Sequence, residues 1–241
     1  MAQVICRYRK ADEVRWISHL DLKRTLERAM RRAQLPLALT QGHNPHPKIS
    51  LGPALPLGAT GEAELLAIHL REGMQPEEVK ERLNEQLPPG LEVVEAWSLP
   101  AHGKRETFGE VDVAEYQVTV SGDVDSDEVR GRVEELLGRQ ELIVKRGGER
   151  PERTVDVRPL ILSLSVDDSG GGELVLRMRL RTGSHGGARP QEVAALLGLS
   201  DCEGGIRHHR IGLYVGANAS AVAGKGVWRR WSRSRGKTRA S

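Results

Sequence analysis

Aromatic residues make up only 3% of the chain, with a single Phe. Ring platforms for stacking several bases are therefore scarce, and the cores must be built from Leu, Val, Ile and Ala. The two cysteines, Cys6 and Cys202, lie far apart and form no C-x-x-C. A disulfide framework and a thiolate zinc site are both unsupported, and a reduced cytoplasmic protein is expected. No run of about 18 apolar residues occurs, and the opening MAQVICRYRK carries charge where a secretory core would be apolar. Neither export nor membrane spanning is expected. Glycine spacing gives no nucleotide site either: Gly170-Gly171-Gly172 and Gly186-Gly187 lack both the P-loop lysine and the Rossmann pattern.

What is present is enough to fold. The 241 residues are 38% apolar, sufficient for one large or two small domains. The formal charge of +3 conceals a strong asymmetry. Residues 1–50 hold ten Lys/Arg against four Asp/Glu, a balance of +6, and residues 225–241 hold seven basic residues and no acid, which leaves −10 for residues 51–224. Basic ends around an acidic middle point to an anionic partner or an acidic protein surface.

The pattern predicts short strands at VICRYRK and VRWI, then a helix capped by Ser18 and answered by Asp21, running to about Gln34. Leu22, Leu26, Ala29, Met30 and Ala33 form its buried face, while Lys23, Arg24, Arg28, Arg31 and Arg32 make the outer arc basic. Strands follow at Leu35–Thr40 and within KISLGPALPLG, separated by the turn formers of Gln41–Pro47. GEAELLAIHL, QPEEVKERLNEQL and LEVVEAWSL read as strand, helix and strand. This is the split β-α-β order of a ferredoxin-like domain. A second pass begins after residue 112: AEYQVTVSG, SDEVRGRVEELLG, ELIVKR, a hairpin of VDVRPLILSLSVDD with ELVLRMRLR, RPQEVAALLGL and IRHHRIGLYVG, with one strand in excess. The expected fold is α+β, two tandem ferredoxin-like domains with antiparallel sheets: 1–100, a linker at 101–112, then 113–218, and a disordered basic tail at 219–241.

The densest chemical constellation joins His19 and Asp21 to Gly42, His43, Asn44, His46 and Lys48. If the loop meets the start of the helix, these groups and the free amides of the helix N-terminus favour an anion. Ser18, His19 and Asp21 share one turn, which suits a cap and not a hydrolase relay. His43 with His46, or His208 with His209, needs a third metal ligand, for which Asp21 is only a candidate. No metal or other cofactor is expected. A metal-free ribonuclease would use His46 as base beside Lys48. The plain alternative makes the loop a rigid connector and the arginines a solvated helix face. Trp228 and Trp231 among arginines suit either bases or a protein partner.

Five segments, R-Y-R-K (7–10), W-I-S-H-L-D-L-K-R (16–24), R-A-M-R-R-A-Q-L-P (28–36), G-H-N-P-H-P-K-I-S (42–50) and P-L-G (56–58), together resemble the signature of the radical-SAM-linked protein family. One departure is His43, where that pattern usually carries Phe or Tyr. The resemblance implies a non-catalytic accessory of a separately encoded radical SAM protein, since no C-x3-C-x2-C is present to hold a cluster. It also implies an RNA or ribosome-related substrate. Phosphates are then expected on Lys23, Arg24, Arg28, Arg31 and Arg32, with the loop from His43 to Lys48 as the selective surface for ligand or partner. A phosphodiesterase acting at the same loop is the competing expectation.

Overall fold

The computed structural model describes residues 2–98, 108–147, 152–168, 173–183, 186–200, 202 and 204–216. Residues 101–107 of the expected linker, the turn at 169–172 and the tail with Trp228 and Trp231 lie outside these. The fold is mixed α and β, with four α-helices among the described residues and mostly antiparallel strands. No helix among them is long and apolar enough to cross a membrane. Two compact units divide the chain, the second being Asp112–Ile211.

The first unit runs β1 (Ala2–Lys10), α1 (His19–Arg32), β2 (Ile49–Leu51), β3 (Thr60–Leu70), α2 (Pro76–Asn84) and β4 (Leu91–Ser98). Its strands lie in the order β4-β1-β3, with β2 also on β3, and every one of these pairs is antiparallel. Alternation along β1 turns Val4, Cys6 and Tyr8 to the helices, where they meet Leu22, Leu26, Ala29 and Met30 of α1 and Val79 and Leu83 of α2. This single apolar layer fixes which side of α1 remains in solvent. Cys6, in that layer, has its thiol pKa pushed up to about 12 by burial, so it is an inert core group.

α1 starts as its sequence dictates: Ser18 Oγ accepts from the Asp21 amide at 3.1 Å and donates to Asp21 Oδ2 at 2.7 Å. Its last turn closes at Gln34, which takes a φ of 52°. Two expected strands are absent. Val14–Ile17 follows a 3-10 turn at Asp12–Val14, because the Arg15 carbonyl is taken by the Lys10 ammonium and the Gly58 amide and not by a neighbouring strand. Leu35–Thr40 makes only isolated bridges at Leu37 and Leu39, since Pro36 and Pro47 cannot donate to a ladder.

The second unit runs β5 (Val113–Ser121), α3 (Ser126–Gly138), β6 (Ile143–Arg146), β7 (Arg153–Asp156), β8 (Ile161–Asp168), β9 (Glu173–Arg181), α4 (Pro190–Leu196) and β10 (Ile206–Tyr214). Its sheet has the order β10-β5-β9-β8. Asp125 caps α3 by accepting from the Asp127 and Glu128 amides at 2.9 and 3.2 Å. The excess strand has an explanation: β6 and β7 pair only with each other as a two-stranded sheet. Pro159 sits in the 3-10 turn Arg158–Leu160 that separates β7 from β8, so VDVRPLILSLSVDD is two strands and not one.

Candidate anion-binding groove

An open groove of about 470 Å³ lies between the solvent face of α1 and the loop that precedes β2. Arg24, Glu27, Arg28 and Arg31 line one side, Asn44, Pro45 and His46 the other. Helical spacing places the three arginines together, because residues three and four apart share a face. The opposite wall is shaped by a double clasp at the neck of the loop. The Thr40 amide donates to the His46 carbonyl at 2.8 Å, while the His46 amide donates to Thr40 Oγ1 at 3.0 Å. One step further out, the Lys48 amide donates to the Ala38 carbonyl at 2.7 Å, and the Ala38 amide donates to the His69 carbonyl of β3 at 2.8 Å. The loop therefore hangs from the sheet at a fixed point, and Asn44–His46 at its far side are exposed.

Charge in the groove is poorly neutralised. The guanidiniums of Arg28 and Arg31 make no ion pair or hydrogen bond among the described residues. Arg24 reaches Asp21 Oδ1 at 3.4 Å with both groups well exposed, a contact worth at most about 1 kcal/mol. Glu27, the one acid in the lining, is approached by Lys23 at 3.9 Å. Two unpaired guanidiniums beside an amide side chain and an imidazole form a donor-rich, acceptor-poor cleft, which selects anions.

The structure brings together part of the constellation read from sequence. Arg24, Arg28 and Arg31 meet Asn44 and His46, at the middle of α1 and not at its N-terminus. His19 and Asp21 belong to that N-terminus and do not line the groove, and Asp21 is engaged by Ser18 and Arg24. Gly42 and His43 are exposed in the loop outside the lining, and Lys48 is half-buried beyond its neck. Arg32 turns the other way and donates to the Gln86 carbonyl after α2, while Lys23 faces Glu27. No group of three or more His, Cys, Asp or Glu placed to hold a metal occurs among the described residues.

Sequence reading missed Lys10. Its side chain is 2% exposed, and the ammonium donates to the Arg15 carbonyl at 2.8 Å and the Ala59 carbonyl at 3.1 Å. It joins the segment entering α1 to the segment entering β3. The only available signal was its place at the end of R-Y-R-K, ahead of W-I-S-H and P-L-G, whose segments it ties together.

These features define a mixed α and β protein with an arginine-lined cleft open to solvent. The chain belongs to the family described as "Uncharacterized protein conserved in bacteria (DUF2344)", whose model matches residues 3–190. No curated protein matches it. Solved structures that it resembles include a Cbf5-Nop10-Gar1 complex, at 12% identity and a TM-score of 0.45, covering 86% of this chain and 47% of that chain. Another is the archaeal box H/ACA sRNP Nop10-Cbf5 complex, at 13% identity and a TM-score of 0.43, covering 86% and 46%. The chain spans about half the length of these matched chains, and likeness at this level carries no functional argument.

Proposed function

We propose that this protein is a binding module that holds an RNA strand in the groove between α1 and the loop of residues 44–46, as an accessory to a separately encoded radical SAM enzyme. The observation that carries the RNA part is the pair of unpaired guanidiniums, Arg28 and Arg31, facing Asn44 and His46 across one open cleft. Phosphates meet the arginines and fix the strand, and the amide and imidazole read what it carries. The radical SAM part rests on the resemblance of residues 7–58 to the radical-SAM-linked signature, with Cys6 and Cys202 too few to hold a cluster. The strand orders support reading each unit as a ferredoxin-like domain. In both, the first strand is central, and in the second the β6–β7 hairpin is an insertion after α3.

Binding of end-labelled RNA by the whole protein tests the reading. Each phosphate contact on a single strand contributes about 0.7 to the slope of log affinity against log salt. Replacing Arg28 and Arg31 by Ala should lower that slope by about 1.4, a difference of roughly 7-fold in affinity loss between 50 and 200 mM salt. A folded double variant with an unchanged slope refutes the groove. RNA cleavage by the purified protein that disappears in His46→Ala would replace the binding module by the phosphodiesterase; of His46 and Lys48, only His46 lines the cleft. Purification of the tagged protein from its own cells, with no radical SAM protein recovered, removes support for the accessory role.

A further inference from the structure

The segments entering α1 and β3, with the first turn of α1, carry large apolar side chains that the core does not use. Trp16 is 67% exposed, Leu20 55% and Leu57 59%. Trp16 is nevertheless held in place. Gly58 lies against the six-membered part of its ring at a φ of +78°, and a Cβ at that residue would stand 2.7 Å from the indole Cζ3. The Gly58 amide donates to the Arg15 carbonyl at 3.0 Å, the same oxygen that receives the buried Lys10 ammonium. The Arg15 guanidinium lies over one face of the indole, 5.1 Å from its centroid, and donates to Asp12 Oδ1 at 3.2 Å. Burying an ammonium is costly unless its donors are used, so this corner is braced from inside while its largest ring faces solvent. A ring held this way has little freedom left to lose on binding.

We propose that Trp16 is a base-stacking platform that extends the groove, so that the ligand is single-stranded nucleic acid with unstacked bases. This rests on the nucleic-acid reading of the groove. Leu20, Arg24, Arg28 and Arg31 follow one another at spacings of four, four and three on one face of α1, so the apolar corner runs directly into the arginines. A strand with its phosphates on Arg28 and Arg31 continues toward the helix start, where a base meets the indole face turned away from the Arg15 guanidinium. Three exposed apolar side chains are too few for the core of a stable protein interface, which needs about 800 Å² from each partner. One ring with the Arg15 guanidinium over it, on the helix face that leads to the groove arginines, fits a base bearing a phosphate.

Fluorescence anisotropy of the whole protein with two labelled oligonucleotides, one of normal bases and one abasic strand with the same number of phosphates, tests the proposal. Trp16→Ala should weaken binding of the base-bearing strand by about 5- to 150-fold, the range of base–aromatic stacking, and leave the abasic strand unaffected. Trp16→Phe should keep most of the difference between the strands. The Arg28→Ala/Arg31→Ala variant should weaken both strands alike, which separates the groove from the platform. Unchanged binding of the base-bearing strand by Trp16→Ala overturns the platform, as does equal loss on both strands. If Trp16→Ala keeps RNA but no longer co-purifies with a protein partner, the patch is a protein-docking surface and the proposal is wrong. Binding of neither strand by the wild type refutes groove and platform together.

Discussion

Replacing Lys10 by Met tests whether one buried ammonium holds the corner that carries Trp16. Methionine keeps the length and the apolar stem but removes every donor, leaving the Arg15 and Ala59 carbonyls without the bonds they receive at 2.8 and 3.1 Å. Arg15 retains the Gly58 amide, so Ala59 bears the greater loss. A hydrogen bond to a charged group contributes about 1.5–3 kcal/mol, so these two together contribute about 3–6 kcal/mol. Removing the need to desolvate the ammonium returns part of this, so a net loss of about 3 kcal/mol is expected. At an m value of about 2 kcal/mol per molar urea, the midpoint of the transition should fall by about 1.5 M. Hydrogen exchange gives the local readout: the Gly58 amide should exchange faster in the variant, while the Leu26 amide in the middle of α1 should change only with global stability. A midpoint within about 0.3 M of wild type, with Gly58 equally protected, would mean that Lys10 does not hold the corner.

Acid should weaken the fold through His208, whose pKa is pushed down from the ordinary 6.5 to about 4 by burial. Above pH 6.5 the ring is neutral in both folded and unfolded chains. Between pH 6.5 and 4 the unfolded chain takes up a proton that the folded chain refuses, so stability falls toward acid by at most about 3 kcal/mol, less for its partial exposure. His208→Gln should flatten that part of the Tm–pH curve, and parallel curves would contradict the assignment. In the second unit, both Glu192 oxygens receive Arg146 Nε and Nη2 at 2.6 Å, and Nη2 also reaches the Gly187 carbonyl at 2.7 Å. Arg146→Met should cost about 3 kcal/mol, the low end for a broken buried pair, because the Glu192 carboxylate keeps the Arg189 amide at 3.0 Å and the Arg189 guanidinium at 3.9 Å, with partial recovery on adding Glu192→Gln; no recovery would refute the pair as the cause.

Local chemistry was legible and long-range chemistry was not. The α1 cap at Ser18, its buried face and its arginine arc follow from spacing within a few turns, so each was readable without partners. The strand expected at Val14–Ile17 failed because the Arg15 carbonyl is claimed by a lysine five residues upstream and by the distant Gly58 amide, contacts invisible to periodicity. Leu35–Thr40 has the composition of a strand, yet Pro36 within it and Pro47 opposite Leu39 remove donors that a ladder requires. The groove was half legible: the arginines and the loop were both marked as surfaces, but pairing the loop with the start of α1 put it about one to three turns away from the arginines that Asn44 and His46 face. Helix position along a sheet depends on packing of Leu26 and Met30 against β1 and β3, which no single segment encodes.

The clasp between Thr40 and His46 makes the residues from Gln41 to Pro45 a cassette. Its anchorage uses one hydroxyl and main-chain groups, so the side chains at the tip carry no duty in holding the sheet. Exchange of those side chains can retune what the cleft accepts without rebuilding the domain beneath it. Thr40 is the latch on that freedom: with valine in its place the His46 amide loses its acceptor, and the tip loses the fixed bearing that makes exchange of its side chains harmless, at every position but Gly42 with its φ of +132°.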